Sequence, residues 1–329
     1  MRNPMTAHPP GREQRQTAAH SQPVRADSDQ PIAGHLREPV RRRLLPLLFT
    51  GPALIVTVGV IIPWVMAIYY SFTDKSFNNP ISSFTGISTW EAVLTSGDFW
   101  HGVVVTLEYG VIATAAEMLV GVCIALLLQR QSILGKIVRF ITFLPLLISP
   151  AIAVIIWGVL TNPTYGLYTH WLNNIGVHTL FANSPRTALL TVILIDFWLY
   201  TPFVVILANA GLNALPREPY EAVEMDGAPW WMTFRKLTLP MLTPILIVTV
   251  VFRLMVALGE FTIIYGLTQG GPGNTLMNLP NLAYQDGFLY YNFAEAMAIL
   301  LFLWVIVFVL SQVLVRWYSR VRRQASAGA

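Results

Sequence analysis

Six apolar stretches fix what this chain can become. They run over Leu44–Phe72, Val103–Leu128, Ile137–Leu160, Ala188–Leu212, Leu242–Leu267 and Ala296–Val315. A helix crosses the hydrocarbon core of a bilayer with about 20 apolar residues, and each stretch reaches or passes that length. No water is present in the core to satisfy backbone N–H and C=O groups, so a spanning segment folds as a helix rather than an open strand. The composition agrees. Charged residues make up 12% and hydrophobic residues 54%, whereas a soluble domain carries roughly 25% charged residues. The predicted fold class is an all-α membrane protein with six transmembrane helices. Kinks are expected at Pro63, Pro145, Pro150 and Pro202.

Lys and Arg orient the bundle. All but Lys75, Arg186 and Arg253 of the 21 basic residues fall in four places: the N-terminal tail, the second-to-third connection (Arg130, Lys136, Arg139), the fourth-to-fifth connection (Arg217, Arg235, Lys236) and the C-terminus. Cytoplasmic loops hold the excess of positive charge, so both termini and the loop 213–241 are expected in the cytoplasm. Residues 1–40 are rich in Pro, Gln, His, Arg and Ser without apolar periodicity, and read as a disordered cytoplasmic tail. They lack the short apolar core of a cleaved signal peptide. The membrane-spanning body occupies 41–320 and a second short tail 321–329. Three outer loops, near 73–102, 161–187 and 268–295, carry Trp90, Trp100, Tyr165, Tyr168, Trp171, Tyr284, Tyr290 and Tyr291. Anchoring at the membrane interface is the default role of such aromatics; contact with an external partner protein is the functional alternative.

Several chemistries are excluded. The net charge of +4 is spread beside apolar runs and forms no basic patch suited to nucleic acid. The single cysteine, Cys123, allows no intrachain disulfide and no multi-cysteine metal site. All six histidines (His8, His20, His35, His101, His170, His178) lie in the tail or the outer loops, which leaves no pair within the spans for haem. No Gly-x-x-x-x-Gly-Lys-Ser/Thr loop is present, so the chain is not expected to bind or hydrolyse ATP itself. No cofactor is expected and no catalytic residue is assigned.

The spans do carry ionisable side chains, which are costly in lipid and mark functional sites by default. Arg253 and Glu260 are seven residues apart, on one helical face, and Asp196 shares a face with Tyr200 and Phe203. Carboxylates and aromatic rings together suit a sugar, whose hydroxyls need hydrogen bonds and whose ring faces are apolar. Simple neutralisation of Asp196 by Arg253 within the bundle is the competing role. Glu117, beside Gly121, reads as a helix-packing residue that bonds across to a neighbour.

The polar loop 213–241 is the most specific motif. Pro219 and Glu221 suit the first turn of a short helix, Tyr220–Met225. Gly227 suits a left-handed stop. Pro229 suits the start of a second helix, with Trp230, Trp231, Phe234 and Leu237 on one face, which Pro240 would end before the fifth span. Glu221, Ala222, Asp226, Gly227, Ala228, Phe234, Leu239 and Pro240 fall in a pattern that resembles the EAA loop of ABC importer permeases. Val223 departs mildly from it. The resemblance covers about residues 40–320 and is closest to the carbohydrate-uptake branch, the maltose-type and glycerol-phosphate-type permeases. Leu267-Thr268-Gln269-Gly270-Gly271-Pro272, following Phe261 and Tyr265-Gly266, is similar to a run typical of that branch where the fifth span leaves the membrane.

The resemblance implies a type I ABC importer permease fold in a bacterial cytoplasmic membrane. The implied partners are a second, similar permease, a dimer of ATP-binding subunits and an extracytoplasmic solute-binding protein. It implies that Glu221, Ala222, Asp226, Gly227, Ala228, Leu239 and Pro240 couple the chain to the ATPase. It also implies that Asp196, Tyr200, Phe203, Arg253, Val256, Ala257 and Glu260 line the path of a sugar, polyol or sugar phosphate. An ion-coupled secondary transporter is the rival reading; it explains six spans and buried carboxylates but not the loop.

Overall fold

A computed structural model describes residues 38–78, 81–129, 133–174 and 184–327. Thirteen α-helices are described among them: α1 (Glu38–Tyr70), α2 (Ser88–Thr95), α3 (Gly97–Leu127), α4 (Ile133–Phe143), α5 (Pro150–Leu160), α6 (Leu167–Asn174), α7 (Pro185–Asn213), α8 (Glu218–Met225), α9 (Trp230–Thr233), α10 (Leu239–Leu258), α11 (Thr262–Thr268), α12 (Leu279–Tyr284) and α13 (Phe293–Ala327). An isolated antiparallel bridge pairs Thr73 with Phe84. Residues 1–37 of the expected tail lie outside the described residues. The chain divides after Gly59 into two units, so α1 begins in one and ends in the other.

Five helical segments are long and apolar enough to cross a membrane: Thr50–Tyr70, Gly97–Leu127, Pro185–Asn213, Trp230–Thr268 and Phe293–Arg320. The expected third span is a broken pair. The segments Gly135–Leu147 and Pro150–Leu160 meet at 102°, so a kinked rod is replaced by an elbow. Its cause is local. Ile148 and Ser149 are both extended, with ψ of 132° and 140°, and a residue before proline is driven from the helical region by the proline ring. Pro63 and Pro202, by contrast, sit inside α1 and α7, and both helices continue through them. The fifth span also differs. α10 stops at Leu258, Gly259–Phe261 interrupt it, and the short α11 follows.

The helices of the second unit meet through small residues. Lipid tails are as apolar as leucine, so close backbone approach rather than hydrophobic burial holds membrane helices together. A Cβ on Gly121 of α3 would lie 2.6 Å from Val204 Cγ1 of α7, and one on Gly110 would lie 2.7 Å from Leu258 Cδ2 of α10. One on Gly211 would lie 2.5 Å from Ile245 Cγ2. Three buried clusters result. Tyr109, Trp157, Ile195, Leu199 and Ile263 join α3, α5, α7 and α11. Phe99, Leu258, Leu279 and Ile299 join α3, α10, α12 and α13. Ala125, Val205 and Ala208 extend the α3–α7 seam.

After α11 the chain folds back inward. Gln269 and Gly270 both take positive φ. Asn278 caps α12 through the Asn281 N–H, and its amide donates to the Glu260 carbonyl at 2.5 Å. The Leu279 N–H donates to Thr106 Oγ1 of α3 at 2.9 Å. The segment Leu276–Ala283 is buried, so much of what the sequence presents as an outer loop is core. A π-turn, Gln285–Leu289, leads back toward α13. Within it, burial pushes the Asp286 carboxyl up to about 6, helped by the nearby charges of Glu295 and Asp98. The unfolded carboxylate titrates near pH ~3.9, so the folded chain holds the extra proton between those values. Stability is therefore lost as pH rises from about 4 through about 6. In Asp286→Asn that loss should flatten, and thermal unfolding in detergent should show a variant more stable than the parent at pH 7 but not at pH 4.

Candidate functional site

The first functional element is the loop between α7 and α10. Its geometry is set by three residues. Pro219 occupies the first turn of α8, and Glu218 and Glu221 lie in that turn, where the helix dipole favours negative charge. Gly227 has φ +66° with open space where a Cβ would be, so glycine is required by backbone conformation and not by crowding. Pro229 is extended and caps α9. The helix expected over Tyr220–Met225 begins two residues earlier, at Glu218. The second helix departs from expectation: Pro240 does not end it. A π-turn, Phe234–Thr238, carries α9 directly into α10, with the Leu239 N–H reaching back to the Phe234 carbonyl, and this wider turn absorbs the change of register that Pro240 imposes. One rod therefore runs from the loop into the bundle.

No residue of α8 is buried. Glu221, Ala222, Asp226, Gly227, Leu239 and Pro240 are exposed and Ala228 is half-buried. Met225 is 89% exposed and Trp230 73%, and Trp230 stacks on Phe234 at 5.8 Å. Carboxylates and bare apolar side chains thus lie together on a surface this chain does not cover. Exposed apolar patches of this kind are where proteins meet other proteins or a membrane.

The second element is a knot of charge inside the bundle. Arg253 of α10 is 1% exposed, and Glu117 of α3 and Asp196 of α7 are both fully buried. The guanidinium holds Glu117 with two hydrogen bonds, from Nε to Oε2 and from Nη2 to Oε1, the latter 2.8 Å. Nη2 also donates to Asp196 Oδ2. The guanidinium carbon sits 4.3 Å from the centre of the Tyr200 ring, close enough for cation–π attraction. Three helices are thereby tied by one side chain. Asp196 Oδ1, Arg253 Nη1 and the Tyr109 hydroxyl lie buried beside these bonds, with Tyr109 facing Asp196.

The predicted pathway residues are distributed unevenly around it. Asp196, Tyr200 and Arg253 come together. Glu260 is 6% exposed and accepts from the Ile263 N–H at 2.8 Å, capping α11; no hydrogen bond or ion pair joins it to Arg253 among the described residues. Phe203 is half-buried, Ala257 buried and Val256 49% exposed. Glu117 bonds across to another helix, as its packing role predicts. Tyr109 also lies at the knot, and a lone tyrosine among the apolar residues of α3 carries no signal of its own in the sequence. Among the described residues no cluster of His, Cys, Asp and Glu is suited to a metal.

The profile of one family, the "Binding-protein-dependent transport system inner membrane component", matches residues 117–324. The chain is 35% identical over 267 residues to "Probable ABC transporter permease protein y4oQ" of Sinorhizobium fredii, covering 80% of this chain and 85% of the relative. It is 32% identical over 271 residues to "Trehalose/maltose transport system permease protein MalF" of Thermococcus litoralis, covering 80% and 89%. Its fold superposes with a TM-score of 0.77, at 21% identity, on a chain of a bacterial ABC transporter that imports the acidic polysaccharide alginate, covering 87% of this chain and 99% of that one. The chain belongs to the family of inner-membrane permease components of binding-protein-dependent ABC importers.

The knot yields a stability prediction. Removing one partner of a buried ion pair costs about 3–5 kcal/mol, because the other charge stays buried unpaired. Arg253→Met should lower the thermal unfolding midpoint and the monodisperse yield in detergent. Adding Glu117→Gln and Asp196→Asn to it should restore much of both.

Proposed function

We propose that this chain is one permease subunit of an importer for a sugar or a related polyol or sugar phosphate. It works beside a second, similar permease, above a dimer of ATP-binding subunits, and receives substrate from an extracytoplasmic solute-binding protein. Both termini and the loop 213–241 face the cytoplasm of a bacterial inner membrane, with 41–320 as the transporting body. ATP hydrolysis belongs to the partner subunits. Relatives named for trehalose and maltose, for starch degradation products and for sulfoquinovosyl glycerol support the substrate class.

The observation that carries the coupling role is the exposed turn at Gly227 on a loop whose second helix is continuous with α10. A push on α8 has a rigid route into the span that holds Arg253 and approaches Glu260. In this reading Glu221, Ala222, Asp226, Gly227, Ala228, Leu239 and Pro240 form the docking element. ATP-driven closure of the ATPase dimer draws two such loops together and switches the central cavity between inward and outward access. Asp196, Tyr200, Phe203, Arg253, Val256, Ala257 and Glu260 form the substrate wall. There, Asp196 and Arg253 meet substrate hydroxyls and the aromatic rings meet apolar sugar faces.

Two variants of the complete complex test the two halves separately. Gly227→Asp places a side chain where φ is positive and should abolish substrate-stimulated ATPase activity while the chain still folds; unchanged stimulation would contradict the docking role. Glu260→Ala should lower sugar uptake at least several-fold with assembly intact, and normal uptake kinetics would contradict the pathway role.

A further inference from the structure

We propose that the hydroxyl pair Tyr220–Thr238 is the transmitting contact of this permease, the bond through which movement of α8 reaches α10. This rests on the coupling role given above to the loop 213–241. The Tyr220 hydroxyl donates to Thr238 Oγ1 at 3.1 Å across 18 residues of chain. Among the described residues it is the only hydrogen bond or ion pair from a side chain of α8 to another helical element. Thr238 is 7% exposed and is the last residue of the π-turn, immediately before Leu239. One end of the bond therefore sits on the exposed docking helix and the other at the buried root of the span.

What lies beneath α8 makes this bond matter. A cavity of about 800 Å³ opens between the loop and the ends of α3 and α7, and both Tyr220 and Thr238 line it, with Cys123, Arg217 and Trp230. Without the bond, α8 reaches the rod directly through the turn at Asp226–Pro229, whose centre is the left-handed Gly227. A glycine turn beside an open space is a hinge: an inward push on α8 would fold the loop into the cavity. With the bond, the push arrives at Thr238, and α10 is continuous from there to Arg253. Through Arg253 it reaches Glu117 on α3 and Asp196 on α7. The π-turn fits a load point, since such turns concentrate where a helix changes its course for function. Tyr220 and Thr238 are positioning residues; neither is placed against substrate or nucleotide.

The test uses the complete complex, with its ATPases, partner permease and binding protein, in proteoliposomes, and the sugar among maltose, trehalose and malto-oligosaccharides that it takes up fastest. Sugar moved per ATP hydrolysed is measured together with the thermal midpoint of the complex. Tyr220→Phe and Thr238→Val each delete one hydroxyl at nearly constant shape. Each should lower the ratio of transport to hydrolysis by about threefold to tenfold, the range a single hydrogen bond is worth. Stimulated ATPase activity and the thermal midpoint should stay at parental values. The double variant should be no worse than either single one, and Thr238→Ser should retain the parental ratio. A parental ratio in Tyr220→Phe and Thr238→Val would overturn the proposal. So would loss of assembly in both, which would make the bond merely structural. Failure of the docking role reads differently: Gly227→Asp would then keep its stimulated ATPase activity.

Discussion

Arg253 is the constraint around which the bundle is organised. A guanidinium inside a membrane span is tolerated only when its charge and donors are answered, and here the answers come from two other helices. Glu117 lies 136 residues away in sequence and Asp196 57. Meeting both fixes the rotation of α3, α7 and α10 about their axes at one level. The glycine contacts work to the same end. Gly121 lets α7 approach α3 and Gly110 lets Leu258 of α10 do so, which brings the three charged side chains within bonding reach. A methyl group at either glycine would act against this packing.

Two carboxylates face one guanidinium. A knot made only for stability would be better replaced by apolar side chains of similar volume. Retaining charge instead ties three helices at one point through paired, directional bonds. The break at Gly259–Phe261 has a related logic. It frees the end of α10 from α11, and Glu260 satisfies the Ile263 N–H that the break exposes. The span is thus built as two pieces, the long α10 and the short α11.

Much of this was legible before any coordinates. Apolar length defined the spans, because the bilayer imposes one length scale on every crossing helix. Gly227 was readable because positive φ excludes other residues so strongly, and Pro219 because the first helical turn tolerates it. What escaped was decided between elements. Ile148 and Ser149 sit in a run as apolar as its neighbours, so hydropathy carries the third span straight through an elbow of 102°. Pro145 and Pro150 announced bending but not its size. Pro240 looked like a stop, yet the π-turn before it lets the helix run on. Arg253 was visible as an intramembrane charge with Asp196 as a candidate partner. The choice of Glu117 as the doubly bonded one depends on how α3 rotates against α10, which no local pattern encodes. The bond from Tyr220 to Thr238 was invisible for the same reason.

Site-directed cross-linking from the loop tests most directly whether this permease is driven through that surface. Met225, 89% exposed at the end of α8, would be replaced by cysteine in a chain whose Cys123 is changed to serine. A short bifunctional reagent would be applied in native membranes, and the product identified by mass spectrometry. Coupling through this loop predicts one dominant adduct with an ATP-binding subunit, with a yield that changes when ATP and vanadate are added. A chain that acquires no protein adduct there, while the same reagent links its other exposed surfaces, would contradict it.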